Sequence, residues 1–510
     1  MRWLNNIVDE AIKRKPKGEI LIASGGSPSG EYHIGHLREL VICDAIWLEL
    51  KNRGRKAKHI YYVDDLDGLR KIPANVPTSF EKYLGRSLSD IPSPDGSKLS
   101  YADYFLAGLQ KGCDSLGVEV EFVRSHKKYR SGFFISKIEE SLSNANKIKQ
   151  ILESVSGHKL SDSYSPIQVN EDGYLKKRKF ISLDKKSKTL VYEDKDGNPQ
   201  SIKYDGGDVK LDWRIDWAAR WALLQVDVEP FGRDHASAGG SYDTGKEIVE
   251  KVFGASAPLP VKYDFINLHG DTKKMSASKG SGLSASESAD IIPSEIMRYF
   301  VLNAPPNKLL HFDPIGGLVR LIDEYAVLLA KTSKSESEKQ LIRLCGANLK
   351  QRTVSSVPFS HLVESYQSSL KNFEKTLDII ARTEYQAEAR KEKGLIKKEL
   401  KFIDNWLQKW APEDVKFKLK TDVNPSEFTE KQKKFLSSLA DVIAGADGSA
   451  GGEWFHKAIY DLKDKTGLEP KELFQTIYKA TIGKDSGPRA GWFLSTLPRD
   501  WLIDRLRLRK

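Results

Sequence analysis

One stretch near the N-terminus constrains the fold more than any other. An apolar run, Glu19-Ile20-Leu21-Ile22-Ala23-Ser24, meets a turn of glycine, serine and proline, and a helical pattern follows over residues 34–50. A short run without polar alternation fits a strand buried on both faces, as in a parallel sheet. Strand, tight turn and helix in that order form the first step of a doubly wound α/β unit. Further strand-like runs at 57–63 and 118–123 alternate with helical patterns, so residues 1–130 predict one half of a parallel sheet. The sheet should resume at 228–231 and 261–268. Between them, residues 164–204 break into short alternating strands with an Asp196-Gly197 turn signal, which reads as a β-rich insertion. After Pro293 the pattern is helical to the end, interrupted around 411–414 and 444–452.

The turn between the first strand and its helix carries Ser27-Pro28-Ser29-Gly30-Glu31-Tyr32-His33-Ile34-Gly35-His36. A helix N-terminus with free N–H groups and the positive end of its dipole is a ready anion site. Two imidazoles there add directional donors, and a glycine between them removes a Cβ that would hold a flat ring off the backbone. Taken alone, His-x-x-His could equally be half a metal site or a pair of surface histidines. A second segment, Lys274-Met275-Ser276-Ala277-Ser278-Lys279, sets lysines among hydroxyls and glycines. That composition suits a loop that closes on a triphosphate and holds the charge of a leaving group.

The two segments together resemble the paired ATP-binding signatures of class I aminoacyl-tRNA synthetases. Three further segments narrow the resemblance to the class I lysyl-tRNA synthetases of archaea and some bacteria: Tyr62-Val63-Asp64-Asp65-Leu66-Asp67-Gly68-Leu69-Arg70, Trp213-Arg214-Ile215-Asp216-Trp217, and Phe231-Gly232-Arg233-Asp234-His235-Ala236 with the glycines that follow. The resemblance implies ATP-dependent activation of L-lysine and transfer to tRNA-Lys, with activation itself requiring tRNA. It implies His33, His36 and Lys274 as catalytic groups, and Pro28, Gly35, Asp234, Met275, Ser276, Ser278 and Lys279 beside them at ATP, with Mg²⁺ accompanying the nucleotide. Lysine would meet Gly25, Ser27, Trp213, His235 and Tyr263, with one acid among Asp65, Asp67 and Asp234 facing its ε-ammonium. Asp65 and Asp67 could instead cap a helix or pair with Arg70. The expected domains are a Rossmann-like catalytic domain in two halves (1–130 and 213–270), a connective insertion (131–212), a lysine-loop and stem-contact region (271–332), and an α-helical anticodon-binding domain (333–510).

Two departures from the family pattern stand out. Many relatives carry paired cysteines in a zinc ribbon within the insertion, whereas here no Cys or His lies between Lys159 and Asp234. No structural zinc is therefore expected. In the lysine loop Ala277 stands where the general signature has its second lysine, leaving Lys274 to carry the charge with Lys273 or Lys279 assisting. Composition agrees with a polyanionic partner: the formal net charge is +11, and 34 Lys and Arg against 25 Asp and Glu from Lys331 onward place most of it in the helical part. Three scattered cysteines predict a reducing cytoplasm, and the absence of an apolar run of spanning length predicts no membrane segment; a monomer is the expectation. The rival reading, a catalytically inactive synthetase-like regulator that only binds tRNA, should have lost phosphate-binding residues. Here His33, Gly35, His36 and Lys274 all stand.

Overall fold

The structure is a computed structural model that describes residues 1–268, 283–349, 352–413, 415–447, 450–487 and 489–509. The chain forms two compact units. The first comprises Met1–Ala289, Met297–Phe312 and Ser335–Lys350, and the second Asp290–Ile296, Asp313–Lys334 and Gln351–Lys510.

In the first unit, helix α1 (Arg2–Arg14) precedes β1 (Ile20–Gly26), α2 (Ile34–Asn52), β2 (Ala57–Val63), α3 (Tyr101–Leu116) and β3 (Glu121–Arg124). The α/β architecture read from the sequence is present. With β10 (Val228–Gly232) and β11 (Leu259–Tyr263) these strands make a five-stranded parallel sheet in the order β11-β10-β1-β2-β3. The run at 261–268 divides: β12 (Ile266–Leu268) leaves the main sheet and pairs in parallel with β13 (Leu310–Phe312). Almost every side chain of α2 is buried, including the polar Arg38, Glu39, Asp44 and Glu49, so this helix packs on all sides.

The insertion holds two antiparallel sheets. One contains β4 (Ile167–Glu171), β5 (Tyr174–Lys177) and β9 (Val209–Leu211), and the other β6 (Lys179–Asp184), β7 (Thr189–Glu193) and β8 (Pro199–Lys203). Asp196 and Gly197, the latter at φ 85°, lie in the turn between β7 and β8. Ile167, Val169, Leu190, Tyr204, Val209 and Leu211 join one core with Tyr62, Ile215 and Trp217. The hairpins are therefore fastened by apolar burial shared with the sheet domain. Among the described residues no group of three or more His, Cys, Asp and Glu is placed to hold a metal ion.

The second unit is built from α-helices and short 3-10 turns, with a core that includes Phe435, Leu439, Ile443, Ile459, Ile477 and Phe493.

The boundary expected at residue 333 is displaced. Its Ser/Lys/Glu stretch opens the helix Glu336–Cys345 with a capping box, in which Ser335 and Glu338 satisfy each other's backbone N–H groups. That helix belongs to the first unit. Its Gln340 bonds Asn5 at 2.9 Å, its Arg343 bonds Glu49 at 2.5 Å, and the carbonyl of Leu344 accepts from the fully buried Arg298 at 2.7 Å. Leu341 and Leu344 are buried, and each contributes about 1.5–3 kcal/mol. A fragment ending at residue 333 is expected to melt roughly 5–10 °C below one ending at residue 350. Thermal unfolding of the two fragments checks this, and equal melting temperatures would return the boundary to 333.

Candidate active site

Four strand ends and the start of α2 converge on a cavity of about 390 Å³. It opens beyond the carboxyl ends of β1, β2, β10 and β11, the place where parallel sheets bind ligands. Gly25, Ser27, His33, Gly35, His36, Asp67, Trp213, Asp234, His235 and Tyr263, all named from the sequence, line it. Pro28 does not; it is buried in the turn. Lys274, Met275, Ser276, Ser278 and Lys279 lie outside the described residues. The segments flanking them stand at the site: Ile266 lines the cavity, and the carbonyl of Leu283 accepts from the N–H of Ile34 at 3.1 Å.

The two histidines build the start of α2. His33 is the N-cap, its Nδ1 accepting from Gly35 N–H at 3.1 Å, and His36 Nδ1 reaches back to His33 N–H at 3.2 Å. An imidazole that accepts at Nδ1 carries its proton on Nε2. Both rings are thereby set as Nε2 donors, with centroids 4.2 Å apart. A Cβ at residue 35 would meet the His33 ring at 2.8 Å, so Gly35 is required by the ring folded over it as well as by any ligand.

The acids are arranged differently from the sequence reading. Asp65 is wholly buried on the far side of the strand end, where Arg124 Nε approaches its carboxylate at 2.5 Å and the His126 N–H and Nδ1 at 2.8 and 2.7 Å. It does not line the cavity, and its assignment to lysine is corrected: these partners already use both carboxylate oxygens. Asp67 lines the cavity but is held by Lys210 at 3.0 Å and Arg70 at 3.5 Å. Asp64 also lines the cavity, with Oδ2 at 3.3 Å from Arg220 and a buried Oδ1 without a hydrogen-bond partner among the described residues.

Two further lining acids escaped the sequence reading. Glu39, on the turn of α2 after His36, accepts from the N–H of Gly25 at 3.2 Å and from the hydroxyl of Tyr263. Burial pushes its carboxyl up to about 7. Glu229 on β10 accepts from Trp217 Nε1 at 2.8 Å, and burial pushes it up to about 8. A charged residue inside an apolar strand, Val228-Glu229-Pro230-Phe231, was the available signal. Around these acids Trp213, Trp217 and His235 form an aromatic wall, with the His235 ring 5.5 and 5.6 Å from the two indoles. The cavity thus combines buried negative charge, a flat apolar wall and a helix start equipped with imidazole donors.

The profile of the family described as tRNA synthetases class I (K) matches residues 1–346. Among curated proteins, lysine–tRNA ligase 1 of Methanosarcina acetivorans is 36% identical over 99% of this chain and 98% of its own length. The lysine–tRNA ligase of Archaeoglobus fulgidus is 36% identical over 99% of both chains. Among solved structures, a glutamate tRNA ligase of Elizabethkingia meningosepticum is similar over 96% of this chain and 98% of its own, with 12% identity and a TM-score of 0.43.

Proposed function

We propose that this chain, which belongs to the family of class I tRNA synthetases (K), activates L-lysine with ATP and transfers it to tRNA-Lys. The observation that carries the reading is the buried Glu39, held by Gly25 and Tyr263 in a cavity with an aromatic wall. A carboxylate taken out of water is costly unless a cation joins it, and a lysine ε-ammonium is a compact cation with three donors. Trp213, Trp217 and His235 offer the flat wall its methylenes need. The α-ammonium then falls to Asp64, which lines the cavity and has one carboxylate oxygen without a hydrogen-bond partner among the described residues.

So placed, the lysine carboxylate points toward the start of α2. One of its oxygens attacks the α-phosphorus of ATP as the bond to pyrophosphate breaks. The Nε2 donors of His33 and His36, with the helix N-terminus, meet the phosphate charge that grows in this step. Lys274, Ser276 and Ser278 complete the positioning from the loop, with Lys279 or Lys273 standing in for the lysine missing at Ala277, and Asp234 and Met275 beside the nucleotide. Mg²⁺ arrives with ATP and neutralises phosphate oxygens. No side chain is needed as a base, because the nucleophile is already a carboxylate. In the second step the terminal 2′-OH of tRNA attacks the adenylate carbonyl and AMP leaves. The basic helical unit supplies the charge for tRNA. A cytoplasmic monomer fits this reading, and no described helix is long and apolar enough to cross a membrane.

Charging of total tRNA with each labelled amino acid tests the assignment, and lysine alone is expected to be incorporated. Pyrophosphate exchange with lysine and ATP should be weak until tRNA is added. Full exchange without tRNA would overturn the requirement for tRNA, and charging with another amino acid would overturn the lysine assignment.

A further inference from the structure

Lys210 lies on β9 of the insertion, between Val209 and Leu211, with 2% of its side chain exposed. An ammonium so buried is costly unless it is partnered. Its Nζ stands 3.0 Å from Asp67 Oδ1 and 3.8 Å from Asp216 Oδ2. Asp216 Oδ1 accepts from the Tyr129 hydroxyl at 2.6 Å, and one helical turn on, Arg220 Nε is 3.3 Å from Asp216 Oδ2. Arg220 Nη1 in turn reaches Asp64 Oδ2 at 3.3 Å. Asp64, Asp67 and Arg220 line the cavity, while Lys210, Asp216 and Tyr129 stand behind it. A continuous line of buried charge therefore runs from the insertion to the pocket wall. Burial works against the Lys210 charge, yet Asp216 and Asp67 hold its pKa above the ordinary lysine value.

Three carboxylates here face two cations. Without Lys210, Asp67 would keep only the exposed Arg70, and Asp64 and Asp216 would compete for Arg220. Buried side chains deprived of a charge partner move or neutralise.

We propose that Lys210 is a positioning residue for amino-acid activation: it fixes Asp67 directly and Asp64 through Asp216 and Arg220, so that the amino-acid pocket depends on how the insertion is seated. The inference rests on the assignment of this cavity to lysine, with Asp64 receiving the α-ammonium.

The test uses the full-length chain with saturating tRNA. Lys210→Met is expected to raise the KM for lysine about tenfold or more, while the KM for ATP and the Kd for tRNA stay within about twofold. The double variant Lys210→Met/Asp216→Asn restores the balance of buried charge, so its melting temperature should return toward that of the parent. Its KM for lysine should remain raised, because Asp67 at the pocket wall still lacks its cation and the line from Lys210 through Asp216 and Arg220 to Asp64 stays broken. If Lys210→Met does not fold, the double variant alone decides. An unchanged KM for lysine in Lys210→Met, or a KM that recovers together with the melting temperature in the double variant, would show that Lys210 only balances charge and would overturn the proposal. A parent protein that charges no lysine would instead overturn the functional reading beneath it.

Discussion

Replacing Glu39 with Gln is expected to lower kcat/KM for lysine roughly 10²-fold or more, with the KM for ATP little changed. The side chain keeps its shape, and its Oε1 can still accept from the Gly25 N–H while its Nε2 donates to the Tyr263 hydroxyl oxygen in place of the bond that the carboxylate accepts there, so the loss reports chiefly the charge. Removing one partner of a buried, hydrogen-bonded charge pair costs about 2–5 kcal/mol, and each 1.4 kcal/mol is about tenfold. The same carboxylate should leave a mark on the pH profile. kcat/KM reports ionisations of the free enzyme, and burial sets Glu39 at about 7 and Glu229 at about 8. Below these values the carboxyls are protonated and cannot pair with an ammonium. The parent profile should therefore rise most steeply with pH below the Glu39 value, where both carboxyls must ionise, rise about tenfold per unit between the two values, and flatten above the Glu229 value. Glu39→Gln should make the limb near 7 shallower, because Asp64, which burial also pushes up to about 7, still titrates there. Steady-state rates at saturating tRNA across this range check both statements. A variant within about threefold of the parent, or an unchanged limb, would place the ε-ammonium elsewhere.

The sheet was legible because its strands are apolar on both faces. The run at 57–63 coincides with β2, and 228–231 falls within β10. The histidine turn was legible for the same reason, since a strand, a glycine-rich turn and a helix leave few geometries. The acids were less so. Asp64 and Asp65 follow the last residue of β2, where the chain turns back and the N–H of Asp65 bonds the carbonyl of Val63, so the turn decides which way each carboxylate faces. A choice between them is a choice of face, which composition does not encode; Asp64 looks into the cavity and Asp65 toward Arg124 and His126. Glu39 was hidden because a glutamate three residues after His36 reads as the polar face of a helix, whereas α2 is buried all round. Its partner Tyr263 lies 224 residues away. Lys210, Asp216 and Arg220 likewise acquire meaning only when the insertion folds back on β2. The boundary near 333 was misread although its signal was present: Ser335-Glu336-Ser337-Glu338 has the spacing of a capping box, which marks a helix start rather than a linker.

His36→Ala is expected to slow adenylate formation about 10²-fold or more, the scale for deleting a donor aimed at transition-state charge. Its ring is fixed by the His33 N–H, so the Nε2 proton is aimed before ATP binds, and that preorganisation is lost with the side chain. Loss of the cap contact costs about 1 kcal/mol of stability, too little to account for such a rate. Lys274→Ala is expected to show a loss of the same order, since the loop then lacks its principal cation. Gly35→Ala separates the position of the imidazoles from their presence. It removes no donor, yet its Cβ would lie 2.8 Å from His33 Cε1 and 2.9 Å from His33 Nδ1. The His33 ring must swing away, breaking its bond to the Gly35 N–H. Activation in Gly35→Ala should therefore fall nearly as far as in His36→Ala, while lysine binding, governed by Glu39 and Asp64, should change little. Single-turnover formation of lysyl-adenylate with tRNA present, alongside inhibition by a non-reacting lysine analogue, distinguishes the two effects. Near-parental activation in His36→Ala would remove the imidazoles from the phosphate site. Near-parental activation in Gly35→Ala alone would show that His33 can leave its place without consequence, so that His36 and the helix terminus carry the step.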